Sequence, residues 1–453
     1  MSSEIIKVSN NFSYEVDDKE YKYKVLVYPN ITFQKDLEKD SYVVVLGNII
    51  KEMNKIRTDL HWTILSPELI PSLEFDNTEQ LIVPQVSYPN SMRMSFPFKE
   101  VFKAINWKHN DYDIVYTHLP EHTGQLKNLF FNTTNIEPTI IGYTHWTEFK
   151  EITNYHYQVG LALNIIGLLQ QQKCGINTNA QKQLVMKNAK EWFNDYVVKQ
   201  LDNIIEPHYL GWETPNYEKQ TTDKNIIVYN HRPHTYKNYP WFLEQMDKLW
   251  EQRQDFEVWV PLAESKEREY ITIDKYDRFG YFSKLSSCKV GVCCKQKYEG
   301  WAVSATDGMS VGVPYMFSDD GSYHELADKA GIYYKNSDKF LELMNKILDD
   351  KKFRNEYSER SLQRFEESKW DKQILKINDV FQDAMNNLRS VKKTDSYNKI
   401  VKFIKDKKSV TKNDILEHMG GWGVRVKFSS YRNRLRNEKD IKLTKNRYEV
   451  INK

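Results

Sequence analysis

The chain has 453 residues, 40% of them hydrophobic and 28% charged, with a formal net charge of +3. This composition is ample for packed cores, and the length suggests about three domains. The four cysteines have no CxxC spacing, which argues against a zinc site or a disulfide framework and favours a reducing cytoplasm. We see no signal peptide and no apolar run of about 20 residues, so we expect no membrane segment.

The first half of the chain alternates short apolar strands with amphipathic helices. Residues 1–19 are polar and acidic, and we expect them to be loosely ordered. A helix is predicted from Lys39 to Met53, with Asp40 or Ser41 as its cap. Over residues 20–205 the alternation predicts a doubly wound α/β sheet. The predicted strands are 23–28, 61–65, 80–84, 113–117 and 139–143.

Histidines follow two of these strands, where ligands of such sheets bind. His118 and His122 come after the strand at 113–117, and His145 after the strand at 139–143. Two histidines without a nearby third ligand are weak evidence for a metal. Any of the three could be a loop histidine without a chemical role.

The same alternation resumes after a linker at residues 206–222. Strands are predicted at 225–229, 256–260, 289–294 and 315–317, and a helix at 282–287. The loop after the first of these strands contains Arg232 and Lys237. Residues 223–350 therefore form a second α/β domain, and residues 351–390 are helical and heavily charged.

Residues 299–314 are predicted to form a loop, a helix and a turn between two parallel strands. Glu299 lies in the loop, and Asp307 lies eight positions later in the helix. Gly300 permits close approach of a ligand to the backbone, and the amides around Ala302 to Ser304 offer unpaired donors to a diphosphate. Carboxylates for hydroxyls and amides for phosphates suit a sugar nucleotide.

This stretch resembles the donor-site signature of retaining glycosyltransferases with the GT-B architecture. Glu299-Gly300-Trp301 opens the signature, Asp307 replaces its second glutamate, and Gly312-x-Pro314 closes it. The resemblance covers roughly residues 20–388. It implies an acceptor domain at 20–205 and a donor-binding domain at 223–350, two Rossmann-like domains that face a cleft. Helices in residues 351–390 would cross back to the first domain.

The resemblance also implies roles for individual residues. Glu299 would bind the donor sugar and Asp307 the ribose, while Arg232 and Lys237 would reach the diphosphate. His145 would lie near the anomeric carbon, and the backbone at Gly280 near the nucleobase. No fixed metal is expected. The implied catalytic residues are His145, Arg232, Lys237 and Glu299, and the implied donor-binding residues are Arg232, Lys237, Gly280, Glu299, Gly300, Trp301, Ala302, Ser304 and Asp307.

A basic segment ends the chain. Residues 391–453 contain 18 Lys and Arg against 7 Asp and Glu, a net charge of +11, whereas the rest has −8. Helices predicted at 396–405, 410–418 and 424–437, followed by strands at 441–444 and 448–451, resemble a winged helix-turn-helix. Such a charge is typical of a nucleic-acid-binding module, although a winged helix can also serve protein contacts. The predicted DNA contacts are Arg425, Lys427, Arg432, Arg434, Arg436, Lys445 and Arg447.

A sugar-transfer body with a DNA-binding tail resembles bacteriophage DNA glycosyltransferases. The function implied is transfer of glucose or arabinose from a UDP-sugar to the hydroxymethyl group of a modified base, 5-hydroxymethylcytosine, in double-stranded DNA. We expect a monomer in the cytoplasm, that of the host cell if the protein is viral. Two alternatives stay open: transfer to a protein or cell-wall polymer, with the tail docking a partner, and a non-catalytic DNA-binding sensor of sugar nucleotides.

Overall fold

A computed structural model describes residues 21–32, 37–88, 95–105, 107, 112–134, 138–145, 147, 155–296, 301–390, 395–418, 435, 441–444 and 447–450. Among these residues, no helix combines the length and the apolar character that crossing a bilayer requires.

The first lobe is a seven-stranded parallel sheet of order β4-β3-β1-β6-β7-β8-β9 with helices around it. Its strands are β1 (Tyr23–Tyr28), β2 (Ile31–Thr32), β3 (Leu60–Ser66), β4 (Thr78–Ile82), β5 (Ser87–Tyr88), β6 (Ile114–Thr117), β7 (Thr139–Thr144), β8 (Lys173–Ile176) and β9 (Ile205–Pro207), where β2 and β5 form a separate small pair. Its helices are α1 (Ser41–Ile56), α2 (Phe98–Ala104), α3 (Thr123–Thr134), α4 (Tyr155–Leu168), α5 (Asn179–Trp192) and α6 (Asp195–Ile204).

The second lobe is a six-stranded parallel sheet of order β12-β11-β10-β13-β14-β15. Its strands are β10 (Asn225–Val228), β11 (Phe256–Trp259), β12 (Ile271–Thr272), β13 (Val290–Cys293), β14 (Tyr315–Ser318) and β15 (Gly331–Tyr334). Its helices are α7 (Tyr239–Gln252), α8 (Arg278–Ser286), α9 (Val303–Ser310), α10 (Gly321–Ala327) and α11 (Ser337–Asp349), and α12 (Lys351–Ser368) and α13 (Trp370–Ser390) follow.

Local chemistry explains where helices begin. The Asp40 side chain accepts a hydrogen bond from the Tyr42 amide and caps α1, as predicted. The predicted start of α8 was wrong, because Asp277 caps the helix by accepting from the Gly280 amide and so brings its beginning forward to Arg278.

The chain passes between the lobes twice. The extended segment after β9 carries it to the second lobe, and α13 brings it back to pack against α1 and β7. At the return, the Trp212 amide donates to the Ser368 carbonyl at 2.8 Å, and Trp212 pairs with Lys369. A Cβ at Gly211 would lie 2.3 Å from the Trp370 ring, so the two crossings touch directly.

The basic tail forms a small unit with its own core. Its described elements are α14 (Asp395–Lys407), β16 (Ser409–Thr411), α15 (Lys412–His418), β17 (Ile441–Thr444) and β18 (Arg447–Val450). The three strands form an antiparallel sheet of order β16-β18-β17 around Ile400, Ile404, Val410 and Tyr448. Val410 and Thr411 were predicted to begin a helix, but they pair with Tyr448 and Arg447 instead. Of the predicted third helix at 424–437, Leu435 alone belongs to the described residues.

Candidate functional site

The carboxyl end of β10 lies on a polar network built around Tyr315. The Tyr315 hydroxyl donates to Asn230 Oδ1 at 3.0 Å and lies 3.2 Å from the Ser304 carbonyl oxygen. Asn230 Nδ2 in turn donates to that carbonyl at 2.6 Å. Cβ atoms at Gly291 and Gly308 would lie 2.2 and 2.3 Å from the Tyr315 ring, so both glycines are needed for the ring to pass beneath α9. The network fixes the position of the first turn of α9.

The first turn of α9 begins with amides that have no hydrogen-bond partner within the helix. The first helical bonds run from the amides of Ala305 and Thr306 to the Ala302 carbonyl. The amides of Val303 and Ser304 precede these bonds and face the open end of α9, where the helix dipole is positive. Sequence reasoning predicted donors at this turn.

His231, just beyond β10, joins this turn to β13. It is buried, its Nδ1 lies 2.8 Å from Ser304 Oγ, and its Nε2 lies 3.0 Å from Cys293 Sγ. Burial and the nearby Lys237 charge lower the pKa of His231 to about 3. The ring is therefore neutral at pH 7. Sequence reasoning assigned no role to His231, since its partners are 62 and 73 residues away.

The two predicted cations, Arg232 and Lys237, lie in the loop that joins β10 to α7. Arg232 follows His231 and is exposed. Lys237 is partly buried, and its charge is close enough to His231 to contribute to that pKa shift. The Tyr229 hydroxyl donates to the Lys237 carbonyl, and Asn238 adopts a left-handed conformation (φ 58°) directly before α7. The loop therefore holds the Lys237 backbone at the carboxyl end of β10, and the Lys237 ammonium lies 5.4 Å from the centroid of the Tyr236 ring.

Asp307 lies on α9 facing α8. Its Oδ2 accepts a hydrogen bond from the Tyr281 hydroxyl at 3.3 Å, and Tyr281 itself accepts from Asn230. Burial of the carboxylate, although the residue as a whole is partly exposed, raises the pKa of Asp307 to about 7, against the opposing charge of Arg278. Asp307 thus joins the Tyr315 network through Tyr281.

The remaining predicted donor residues are placed as follows. Trp301 is buried and stacks on Tyr209, with ring centroids 5.5 Å apart, and Ala302 is the N-cap of α9. Gly280 lies inside α8, where its amide is already bound to Asp277. Glu299 and Gly300 lie outside the described residues.

His145 lies at the carboxyl end of β7 in the first lobe. It is buried in an aromatic cluster, with its ring centroid 4.4 Å from Tyr42 and 5.1 Å from Tyr143. Asn177 Nδ2 donates to the His145 carbonyl at 2.7 Å and fixes the backbone there. His118 is also buried, neither of its ring nitrogens has a hydrogen-bond partner among the described residues, and burial lowers the pKa of His118 to about 3. His122 instead lies 3.1 Å from the Tyr28 hydroxyl.

Glu325 connects this edge of the first lobe to the second lobe. Its carboxylate, on α10, accepts from the amides of Asn179 and Ala180 at 2.6 and 2.7 Å, at the start of α5. The Tyr209 hydroxyl, whose ring stacks on Trp301, donates to the same carboxylate at 3.1 Å. The carboxyl ends of the two sheets therefore face each other.

No group of three or more His, Cys, Asp or Glu side chains within the described ranges is placed to hold a metal ion. The chemistry available at this edge comes from helix amides, two cations, Ser304 and the Asp307 carboxylate.

Comparison with known proteins identifies the architecture. No family model matches the chain, and no curated protein sequence matches it. Sucrose-phosphate synthase from Thermosynechococcus elongatus superposes with a TM-score of 0.59 at 12% identity, over 81% of this chain and 100% of that one. Anabaena HepE in complex with UDP-glucose gives 0.59 at 10% identity, over 80% and 100%. TarM gives 0.60 at 10% identity, over 79% and 98%.

The chain has the GT-B fold. The predicted pair of Rossmann-like lobes is confirmed. About a fifth of the chain lies outside each of these superpositions.

The raised pKa of Asp307 predicts an effect on stability. Because the folded state holds the proton more tightly than the unfolded state, this group stabilises the protein below about pH 4, and the contribution is lost as the pH rises through 7. Asp307→Asn should therefore gain stability over the wild type toward pH 8, on the order of 1–2 kcal/mol. Urea unfolding between pH 5 and pH 8 measures the difference.

Asp223→Asn, at an exposed aspartate of the same lobe, is the matched control and should show no such pH-dependent gain. An Asp307→Asn curve parallel to that of the wild type across this range would show that the carboxylate ionises normally in the folded protein.

Proposed function

We propose that this protein is a retaining glycosyltransferase that moves a sugar from a UDP-sugar to the hydroxymethyl group of a base, 5-hydroxymethylcytosine, in double-stranded DNA. The observation that carries the transferase proposal is the convergence of three groups at one edge of the second sheet. These are the first turn of α9 with Ser304, the Lys237 loop, and Asp307.

Each of these groups suits one part of a nucleotide sugar. The amides of Val303 and Ser304, with Lys237 and Arg232, suit the diphosphate, since all of them are donors or cations. The Asp307 carboxylate suits the ribose hydroxyls, and Glu299 the sugar hydroxyls. Solved structures of the same fold were determined with UDP-glucose, with UDP and glucose, and with UDP.

The chemistry proposed is front-face transfer with retention. The acceptor hydroxyl oxygen bonds to the anomeric carbon on the face from which UDP departs, and the bond from that carbon to the β-phosphate oxygen breaks. The hydroxyl proton passes to the departing phosphate. Arg232 and Lys237 stabilise the charge that grows on that phosphate, and no metal is required for this role. His145, on the facing lobe, lies near the anomeric carbon.

The DNA part of the proposal depends on the basic tail. The tail has its own core, and its described surface includes the exposed cations Lys402, Lys405, Lys407, Lys408, Lys442 and Arg447. A net charge of +11 in 63 residues would attract a polyanion, while the rest of the chain, at −8, would not. The acceptor base would have to be flipped out of the duplex to reach the cleft.

The test mixes purified protein with UDP-[14C]glucose or UDP-[14C]arabinose and DNA with or without hydroxymethylated cytosine. We expect label on the hydroxymethylated DNA, and a glycosylated hydroxymethyl nucleoside in mass spectra of the digest. Label on protein or on wall polymer would favour the polymer alternative. UDP-sugar binding without transfer to any of these acceptors would favour the sensor alternative.

Charge removal in the tail tests the DNA contact separately. Changing Arg425, Lys427, Arg432 and Arg434 to glutamine should weaken duplex binding and flatten the slope of log K against log salt by about 3–4, because each lost phosphate contact removes about 0.9. Fluorescence anisotropy at 50 to 200 mM salt measures this.

A control variant with Lys219, Lys266, Lys275 and Lys335 changed to glutamine removes the same charge from the linker and the second lobe. An equal loss in both variants would mean that overall charge, and not the tail, attracts the DNA.

A further inference from the structure

We propose that His231 is a positioning residue that orients the Ser304 hydroxyl to donate a hydrogen bond to the donor diphosphate. The inference rests on the proposed function, since it requires a diphosphate at the first turn of α9. The observation behind it is a buried relay, a chain of hydrogen-bond contacts between side chains from three separate segments of the second lobe.

The relay connects Cys293, His231 and Ser304. The imidazole, 4% exposed, lies between the thiol at the end of β13 and the hydroxyl in the first turn of α9. Nε2 lies 3.0 Å from Cys293 Sγ, while Nδ1 lies 2.8 Å from Ser304 Oγ, closer than the 3.4 Å between Oγ and Nε2. Each ring nitrogen therefore has its own partner.

The tautomer of the His231 ring determines whether the Ser304 hydroxyl can donate a hydrogen bond to a ligand. A neutral imidazole has one N–H and one acceptor nitrogen. When the Cys293 thiol donates to Nε2, the proton is on Nδ1, and Nδ1 donates to Ser304 Oγ. The Ser304 hydrogen is then directed away from the ring. In the opposite tautomer Ser304 would donate to Nδ1 and would have no hydrogen left for a ligand.

A diphosphate requires the first arrangement, because phosphate oxygens near neutral pH mainly accept hydrogen bonds. The Ser304 hydroxyl belongs to the same turn as the Val303 and Ser304 amides, which face the open end of the helix. The Ser304 carbonyl is bound by Asn230 and Tyr315, so the backbone that carries the hydroxyl is fixed. His231 then determines the remaining freedom, the direction of the O–H bond.

The test compares UDP binding to the wild type, His231→Leu and His231→Asn by calorimetry. Leucine removes both ring contacts, whereas the asparagine amide can replace the Nδ1–H donor. We expect UDP affinity to fall about 10- to 100-fold in His231→Leu, the effect of losing one hydrogen bond to a charged group, and to recover largely in His231→Asn. Uridine, which has no phosphate, should bind all three proteins equally.

Ser304→Ala completes a double-mutant cycle. Because His231 acts through the hydroxyl, His231→Leu should cost nothing further in the Ser304→Ala background. In the UDP complex, nitrogen-15 spectra of the labelled imidazole should show the proton on Nδ1.

The outcomes separate this inference from the function on which it rests. A wild-type protein that fails to bind UDP overturns the proposed function, and the inference with it. A wild type that binds UDP, together with a folded His231→Leu of equal affinity, overturns the inference alone. Additive losses in the cycle, equal losses for uridine, or a proton on Nε2 in the complex would also overturn it.

Discussion

Alanine at both Arg232 and Lys237 should lower kcat for sugar transfer by about a thousandfold or more, since a single preorganised charge-stabilising donor is worth roughly 100- to 1000-fold. The physical reason is that the departing diphosphate gains negative charge as the glycosidic bond breaks. The charge of Lys237 contributes to the lowered pKa of the buried His231, whose ring contacts Ser304 in the first turn of α9. Arg232 is one residue beyond His231 and is exposed, and in the proposed function its guanidinium binds the same diphosphate.

The measurement is initial-rate kinetics with a saturating UDP-sugar and the acceptor identified by mass spectrometry. The matched control is the double alanine variant of Lys266 and Arg268, two exposed cations of the same lobe, with Arg268 paired to Asp247. That control should keep kcat within a factor of about two, because it removes the same charge from the loop between β11 and β12, where Arg268 pairs with Asp247 of α7. Equal rates for the Arg232 and Lys237 variant and the wild type would remove both residues from the site.

Phe381→Ala should destabilise the protein by about 3–5 kcal/mol, the usual range for a buried phenylalanine. Phe381 is fully buried on α13, and its ring lies 5.4 Å from Trp62 and 5.2 Å from Tyr116, both in the first lobe. The substitution leaves a cavity where the returning helix meets the first sheet, so the loss should appear in the unfolding of the first lobe.

Guanidinium unfolding followed by tryptophan fluorescence gives the free energy. Leu375→Ala lies on the same helix, but 52% of that leucine is exposed, so it should cost well under 1 kcal/mol. Similar losses for the two variants would mean that α13 does not depend on this packing.

Much of the fold could be predicted because its signals are local. Buried strands such as Tyr23–Tyr28 and Asn225–Val228 are short apolar runs, and the Asp40 cap is two residues from the amide that it binds. The two errors have different causes. The Asp277 cap, which begins α8, was overlooked in the sequence, whereas at Val410 the distant pairing with Tyr448 in β18 outweighed the local helical periodicity.

The candidate site was predictable only in part. Ser304, Asp307 and Lys237 were chosen from the sequence, and the structure brings them to one edge of the second sheet. Their supports were missed, because Asn230 binds Tyr281 and Tyr315 over 51 and 85 residues and no spacing rule links them. The available signal was indirect: Gly291 and Gly308 have no evident turn to make, and both are explained by the Tyr315 ring. Glu299 and Gly300, and the predicted DNA contacts other than Arg447, lie outside the described residues, and the roles of all of them stay predictions.

The direct contact between the two interlobe crossings limits how the cleft can open. The two segments that cross between the lobes act as neighbouring tethers, and they are held together where Trp212 meets Ser368 and Lys369. Sliding or twisting of one lobe past the other would pull the tethers apart, whereas a swing about the line through Trp212 would leave them together. The largest displacement would then occur at the rim of the cleft farthest from Trp212, so a bulky polymer could enter there. Residues close to Trp212 would keep their distances from one another.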